Sequence, residues 1–371
     1  MISFYEEDSQ DLDKVLNIFV RVNSGGEPLS YSDLLLSIAT AGWRELDARQ
    51  AVHDLVDEVN GVGRGFRFSK DLALKTGLVL TDRKSVTFKV DSFTAENVGA
   101  LEAGWDKVGD ALRTAAALLD SFGFSDATLP AASAVIPIAD YIHHRGLGPD
   151  YPSATKHKDD RGKLRSWLMR SIFKPGGVWG SGLDQMLLAL RTAVREHGTD
   201  GFPLAAFEDA MARRGKSLQF TDEELDELLA MKIGGPKTFA LLAVLFDHVD
   251  TANEFHMDHI VPKAKLTRPR LRQAGLSADD VEDAFDKRDR LPNLQLLDGP
   301  TNNDKRAKMP ADWLDGYKPG AAERGHYLDL NAMGEPPAEL GQFLDFYDVR
   351  RARLLDRLRT RLGVRADAGA A

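Results

Sequence analysis

The stretch Phe255-His256-Met257-Asp258-His259-Ile260-Val261-Pro262 constrains this chain more than any other, because it has a partner downstream. Apolar residues flank an adjacent acid and imidazole, and a proline closes the run, which reads as a strand. The partner, Leu291-Pro292-Asn293-Leu294-Gln295-Leu296-Leu297, alternates as a strand does and breaks at Gly299-Pro300. It continues as the polar, helical run Thr301-Asn302-Asn303-Asp304-Lys305-Arg306-Ala307-Lys308. These residue types suit phosphate chemistry. A neutral imidazole takes a proton from water near pH 7, and a few oxygen ligands hold a hard divalent cation with positions left open for substrate. Consecutive strand residues face opposite ways. Asp258 and His259 therefore share one phosphate only if the strand end twists or the backbone takes part.

Strand, strand and helix, with Asp-His on the first and Asn on the last, resembles the HNH (ββα-metal) nucleases. Asn293 and Asn302 are nine residues apart and Lys305 lies three further on, as in many HNH domains. The resemblance implies His259 and Asn293 as the catalytic pair, His259 as general base and Asn293 orienting the loop that carries it. It implies Asp258 and Asn302 as ligands of one divalent metal, Mg²⁺ or Mn²⁺. His256 matches a family position but reads equally as a packing histidine or one that supports the ligands. Asn303 competes with Asn302, and the nine-residue spacing favours Asn302. HNH domains often carry zinc-binding cysteine pairs; this chain has no cysteine, which excludes that type of zinc, and with it disulfides and thiol chemistry.

A net charge of −9 argues against nucleic acid, but its distribution softens the argument. His256 to Lys308 holds eleven Lys/Arg against nine Asp/Glu. Lys263, Lys265, Arg268, Arg270 and Arg272 follow the Asp-His pair, and Lys305, Arg306 and Lys308 follow the Asn pair. Beside a phosphate site, Lys263, Lys265, Lys305, Arg306 and Lys308 are expected to contact the DNA backbone, double-stranded DNA being the expected partner. The acidic remainder keeps non-specific DNA affinity low.

A second informative stretch lies near the start. Leu12, Val15, Leu16, Phe19 and Val22 recur at helical spacing and stop near Asn23-Ser24-Gly25-Gly26. Ser30 then caps a second helix, with Asp33 three residues on and Gly42 as its stop. The wording Ile18-Phe19-Val20-Arg21-Val22-Asn23-Ser24-Gly25-Gly26 through Leu29-Ser30-Tyr31-Ser32-Asp33-Leu34-Leu35 resembles the end of the ParB-like N-terminal domain of GmrSD-type proteins. These are relatives of modification-dependent restriction enzymes, and they commonly end in an HNH domain. That family's nucleotide-linked Asp-Gly-Gln-Gln-Arg motif does not occur here. The chain is accordingly expected to be the C-terminal part of such a protein, to act without NTP, and to partner a separate ParB-like, NTP-dependent subunit. Gly61-Val62-Gly63-Arg64-Gly65 is no substitute, since no Gly-Lys-Ser/Thr follows; it reads as a loop.

The middle reads as helical over Arg44–Asn60, Ala95–Ser121, Ala131–His144, Lys163–Ile172, Leu183–Glu196, Asp222–Met231 and Lys237–His248, with a strand-like run at Ser85–Val90. Between the two site strands, Ala264–Arg290 holds a helix capped by Ser277 with Asp280 at its third position. Trp313 and Tyr317 are expected to anchor packing, and a final basic helix runs over Ala338–Leu362. The expected fold is mainly α with a small α+β part. Its expected divisions are a ParB-like remnant (1–50), a helical domain (51–250), the HNH domain (251–318) and a helical extension (319–371). The acidic N-terminus lacks a basic-then-apolar signal pattern, and no apolar run is long enough for a bilayer. A cytoplasmic protein with no membrane partner is expected. The function implied is a DNA endonuclease of a restriction or phage-defence system. A truncated, non-catalytic DNA-binding or interaction fragment of such a system and an RNA-directed nuclease are the alternatives.

Overall fold

The computed structural model describes residues 31–81, 94–235, 237–246, 248 and 255–364. The described chain is mainly helical, with one two-stranded sheet. It divides into two compact units, each interrupted in sequence. One takes the described parts of Met1–Phe122, Ala131–Arg165 and Trp179–Ser217; the other takes Gly123–Pro130, Ser166–Val178 and the described parts of Leu218–Ala371. No helix among the described residues is long and apolar enough to cross a membrane.

The first unit holds α1 (Tyr31–Gly42), α2 (Ala48–Asn60), α3 (Lys70–Leu80), α4 (Ala95–Ala103), α5 (Trp105–Ser121), α6 (Val135–Arg145), the first half of α7 (Lys158–Phe173), α8 (Leu183–His197) and α9 (Leu204–Ala212). Asp47, Ser69 and Thr94 begin α2, α3 and α4 by accepting the N–H three residues on, satisfying donors a helix start leaves open. Every residue from Val135 to Ile142 is buried, so α6 is the central helix here, packed by α3, α5 and α8. Asp160 ties the unit together: it accepts from Tyr141 Oη at 2.8 Å, Tyr151 Oη at 2.7 Å and the Phe202 N–H at 2.6 Å. The loop after α2 is a closed turn. The Asn60 amide pairs both ways with the Phe68 backbone, and a Cβ at Gly63 (φ +57°) would lie 1.9 Å from Asp120 Oδ1.

The second unit holds the second half of α7, then α10 (Asp222–Leu229), α11 (Thr238–Leu245), β1 (Phe255–His259), α12 (Arg268–Gln273), α13 (Ala278–Lys287), β2 (Leu294–Asp298), α14 (Gly299–Lys305), α15 (Pro310–Tyr317), α16 (Ala321–Leu330) and α17 (Phe343–Leu362). β1 and β2 pair antiparallel, with Asp258 opposite Gln295 and His259 opposite Leu294. A lone strand pair is at best marginal in water, and this one is supported by helices packed near the end of β1 and on β2, while His256 of β1 stays exposed. Ile260 and Val261, just past β1, pack with Phe343, Phe346 and Tyr347 of α17. Leu297 of β2 packs with Trp313 and Leu314 of α15.

Strand, strand and helix thus lie where the sequence places them, with differences of detail. Gly299-Pro300 does not break the path: Asp298 caps α14 by accepting the Thr301 N–H at 2.8 Å. Proline in a first turn surrenders only an N–H that has no helical partner. Leu291–Asn293 is a single 3-10 turn before β2. Gly104 divides the long helix expected over Ala95–Ser121 in two, and α3, α9, α12, α15 and α16 had no expectation. α1 ends at Gly42 and α13 starts at the Ser277 cap, as expected. The N-terminal helix over Leu12–Val22, the Ser30 cap and the strand-like Ser85–Val90 lie outside the described residues. α17 lies in the same unit as β1, and its aromatic side chains pack with Ile260 and Val261 beyond His259.

Candidate catalytic site

Asn293 organises this region. Fully buried, its Oδ1 accepts the Val261 N–H at 2.9 Å, and its Nδ2 donates to the Val261 carbonyl at 3.1 Å and the Arg288 carbonyl at 2.7 Å. Its own carbonyl accepts the Ile260 N–H at 2.8 Å. One amide therefore fixes the backbone two residues past His259 and the backbone one residue before Asp289.

His259, at the end of β1, places Nε2 2.8 Å from Asp289 Oδ1. Asp289 also receives Lys263 Nζ at 3.1 Å and Arg288 Nε at 3.2 Å. Burial raises the Asp289 carboxyl, but the bonds from His259, Lys263 and Arg288 outweigh it and hold its pKa below the ordinary carboxylate value. Its backbone is held as well. The Ile233 N–H bonds the Asp289 carbonyl at 2.9 Å, and Lys232 bridges to Arg290. Arg288 lies 3.5 Å from the Phe285 ring centre, which restrains the guanidinium.

Asp258 leaves β1 on the other side and meets different partners. Its Oδ2 receives Lys305 Nζ at 2.7 Å and Gln295 Nε2 at 3.0 Å. Tyr327 Oη in turn donates to Gln295 Oε1 at 3.4 Å. Lys305 is fully buried, and its ammonium also donates to the His259 carbonyl at 2.7 Å. Burial lowers the Lys305 pKa, and the Asp258 charge only partly restores it. One ammonium, that of Lys305, thus holds both the Asp258 carboxylate and the His259 main chain, while the two side chains themselves meet different partners.

Asn302 is half-buried, and among the described residues no hydrogen bond ends on its side chain; Asn303 is exposed. Asn302 lies three positions before Lys305, hence on the same face of α14, which packs on both strands. Asn303, two positions before Lys305, does not share that face. His256 is exposed, on the strand face of Asp258, with Nε2 3.7 Å from where a Gly299 Cβ would stand. No group of three or more His, Asp or Glu that could hold a metal occurs among the described residues. What Asp258 and Asn302 offer is two oxygen donors. That fits Mg²⁺ or Mn²⁺, which keep several waters and take few protein ligands, and it does not fit an ion caged wholly by protein.

The cations divide by burial. Lys305 corrects its expectation as a DNA-contacting lysine, because its ammonium is spent on Asp258 and His259 inside the protein. Lys263 is exposed but bonded to Asp289. Arg268 forms a fork with Glu282 at 2.6–2.9 Å. Lys308 pairs with Asp304 at 3.4 Å. Lys265 is half-exposed, and Arg306 is exposed with Nε on the Asn303 carbonyl at 3.1 Å.

Sequence reasoning missed Asp289, Gln295 and Arg350. Arg350, fully buried on α17, donates through Nη1 to the carbonyls of Pro292 and Leu294, each at 2.7 Å, on either side of Asn293. Asp289 sits in the charge run Asp286-Lys287-Arg288-Asp289-Arg290, which gives no local sign that one acid faces a histidine. For Gln295 a signal existed: a polar residue opposite Asp258 in the strand register implied by the two runs. No model of a protein family matches this chain, and a search of curated proteins finds no match.

Proposed function

We propose that this chain is a metal-dependent endonuclease of the HNH type, hydrolysing DNA phosphodiester bonds in a restriction or phage-defence system. The observation that carries the reading is the Asn293 clasp. A buried amide, nine residues before Asn302, pins both backbone groups of Val261 and so fixes the end of β1 where His259 lies. Such a clasp has a purpose if the imidazole must be held still to meet a water and a phosphate. His259 takes the proton of the attacking water. Asp289 faces the ring and stabilises the imidazolium that results. Lys305 keeps Asp258 in place and lowers the cost of its buried charge. When bound, Mg²⁺ or Mn²⁺ on Asp258 and Asn302 would neutralise charge on the phosphate and the leaving oxygen.

Incubating the whole chain with supercoiled plasmid and with RNA, with and without Mg²⁺ or Mn²⁺, tests the proposal. Metal-dependent nicking or linearisation of plasmid is expected, lost in His259→Ala by about 10²–10⁴-fold. Cleavage of RNA alone would make it an RNA-directed nuclease. DNA binding without cleavage would make it a non-catalytic fragment of such a system.

A further inference from the structure

We infer that Asp289 is the positioning residue of His259, holding the imidazole in the tautomer that carries its proton on Nε2 and leaving Nδ1 to take the proton from water. The inference rests on the nuclease reading and specifies which ring atom does the work. An ionised carboxylate can only accept hydrogen bonds. Lys263 Nζ and Arg288 Nε both donate to Asp289, at 3.1 and 3.2 Å, and cations at that range keep it ionised. The short contact from His259 Nε2 to Asp289 Oδ1 is therefore an N–H donating to a carboxylate. A neutral imidazole with its proton on Nε2 has its lone pair on Nδ1.

Asp289 is itself well placed to hold a ring. Its carbonyl is bonded to Ile233, the residue before it is bonded to Asn293, and its side chain is met from three directions. The same clasp that fixes the backbone beyond His259 thus fixes the backbone beside its orienting acid. An amide in place of the carboxylate would disturb this arrangement without changing its shape. Lys263 and His259 share Oδ1 while Arg288 uses Oδ2. An amide offers only one oxygen, so in either orientation an NH₂ group would face an existing donor.

The test uses the full chain labelled with ¹⁵N, read by long-range proton–nitrogen correlation of the imidazoles at about pH 8, above the usual histidine range. His259→Gln assigns the signals. His259 is expected to give a pyrrole-type Nε2 and a pyridine-type Nδ1; Asp289→Glu should keep that pattern, and Asp289→Asn should mix or reverse it. In the plasmid assay, run below the unfolding temperature of each variant, Asp289→Asn should lower kcat by on the order of 10²–10⁴-fold with KM near the parent's, and Asp289→Glu should recover part of the loss. A parent ring protonated on Nδ1, or an unchanged ring in Asp289→Asn, overturns the lock. A changed ring with the parental rate overturns its role in the reaction. A parent that cuts neither DNA nor RNA overturns the nuclease reading and the rate arm with it, while the ring spectrum still decides the lock.

Discussion

At the scale of single residues, the clearest dependence is on Asn293. Its amide satisfies the buried N–H and carbonyl of Val261 and the part-buried carbonyl of Arg288, so Asn293→Ala leaves three polar groups without this partner, two of them buried. A loss of about 3 kcal/mol or more is expected, since one such group costs roughly 1–3 kcal/mol. Asn293→Asp should be no better, because a carboxylate oxygen would then face the carbonyls of Val261 and Arg288. Chemical denaturation of the two variants checks this; if Asn293→Asp unfolds like the parent, the amide is not the clasp described. Residue type and spacing brought Asn293, His259 and Asp258 forward as candidates in sequence, since few combinations place Asp-His on one strand and Asn at two fixed positions beyond it. Asp289 was not legible, because only the fold brings the end of Ala264–Arg290 back to the ring. Lys305 was misjudged for an ordinary reason. Lysines are seldom buried, and only the three-residue offset from Asn302 hinted that it faces inward.

Among the elements, α17 changes meaning most. Its arginines read in sequence only as a basic helix, and the fold commits them to partners. Arg351 and Arg359 pair with Asp226 and Asp222 of α10. Arg353 and Arg357 donate to backbone carbonyls of Met333 and Leu330. Arg350 lies beneath the start of β2, where burial draws its pKa down to about 9 and leaves it charged at neutral pH. Among the described residues no acid pairs with it; Nη1 donates to both carbonyls around Asn293, and Nε and Nη2 to the Asn331 carbonyl. Arg350→Met should fill the space and orphan those carbonyls, at a cost of about 3 kcal/mol. Arg350→Lys should also weaken the fold, because one ammonium on a flexible stem does not reproduce a planar fork. Thermal unfolding reads both, and a Met variant as stable as the parent would mean that the carbonyls find other donors. The helices that sequence located, α2, α6, α8, α10 and α13, carry amphipathic spacing or a cap. The short α3, α9, α15 and α16 were not located, since their apolar residues follow contacts with neighbours rather than a clean stripe.

For the whole molecule, the question is how an acidic chain would hold DNA. Net charge is −9, and the basic residues around the site are largely committed: Lys305 inside, Lys263 to Asp289, Arg268 to Glu282. Lys265, Arg270, Arg272 and Arg306 form no ion pair among the described residues and are exposed or half-exposed. A phosphate neutralised by each would release about four counterions, so the logarithm of the DNA association constant should fall against the logarithm of salt with a slope of about −3 to −4. Non-specific binding should then be weak at physiological salt. The double substitution Lys265→Gln with Arg272→Gln should reduce the slope by about 2, one unit for each phosphate left without its cation. Lys305→Met, by contrast, should leave the slope unchanged while lowering Tm, since it removes a buried tie rather than a surface charge. Fluorescence anisotropy with a short duplex at several salt concentrations, run beside thermal unfolding, separates the two behaviours. A slope that drops in Lys305→Met but not in the double variant would place the DNA-binding cation at the buried lysine and leave the exposed cations as ordinary solvated surface.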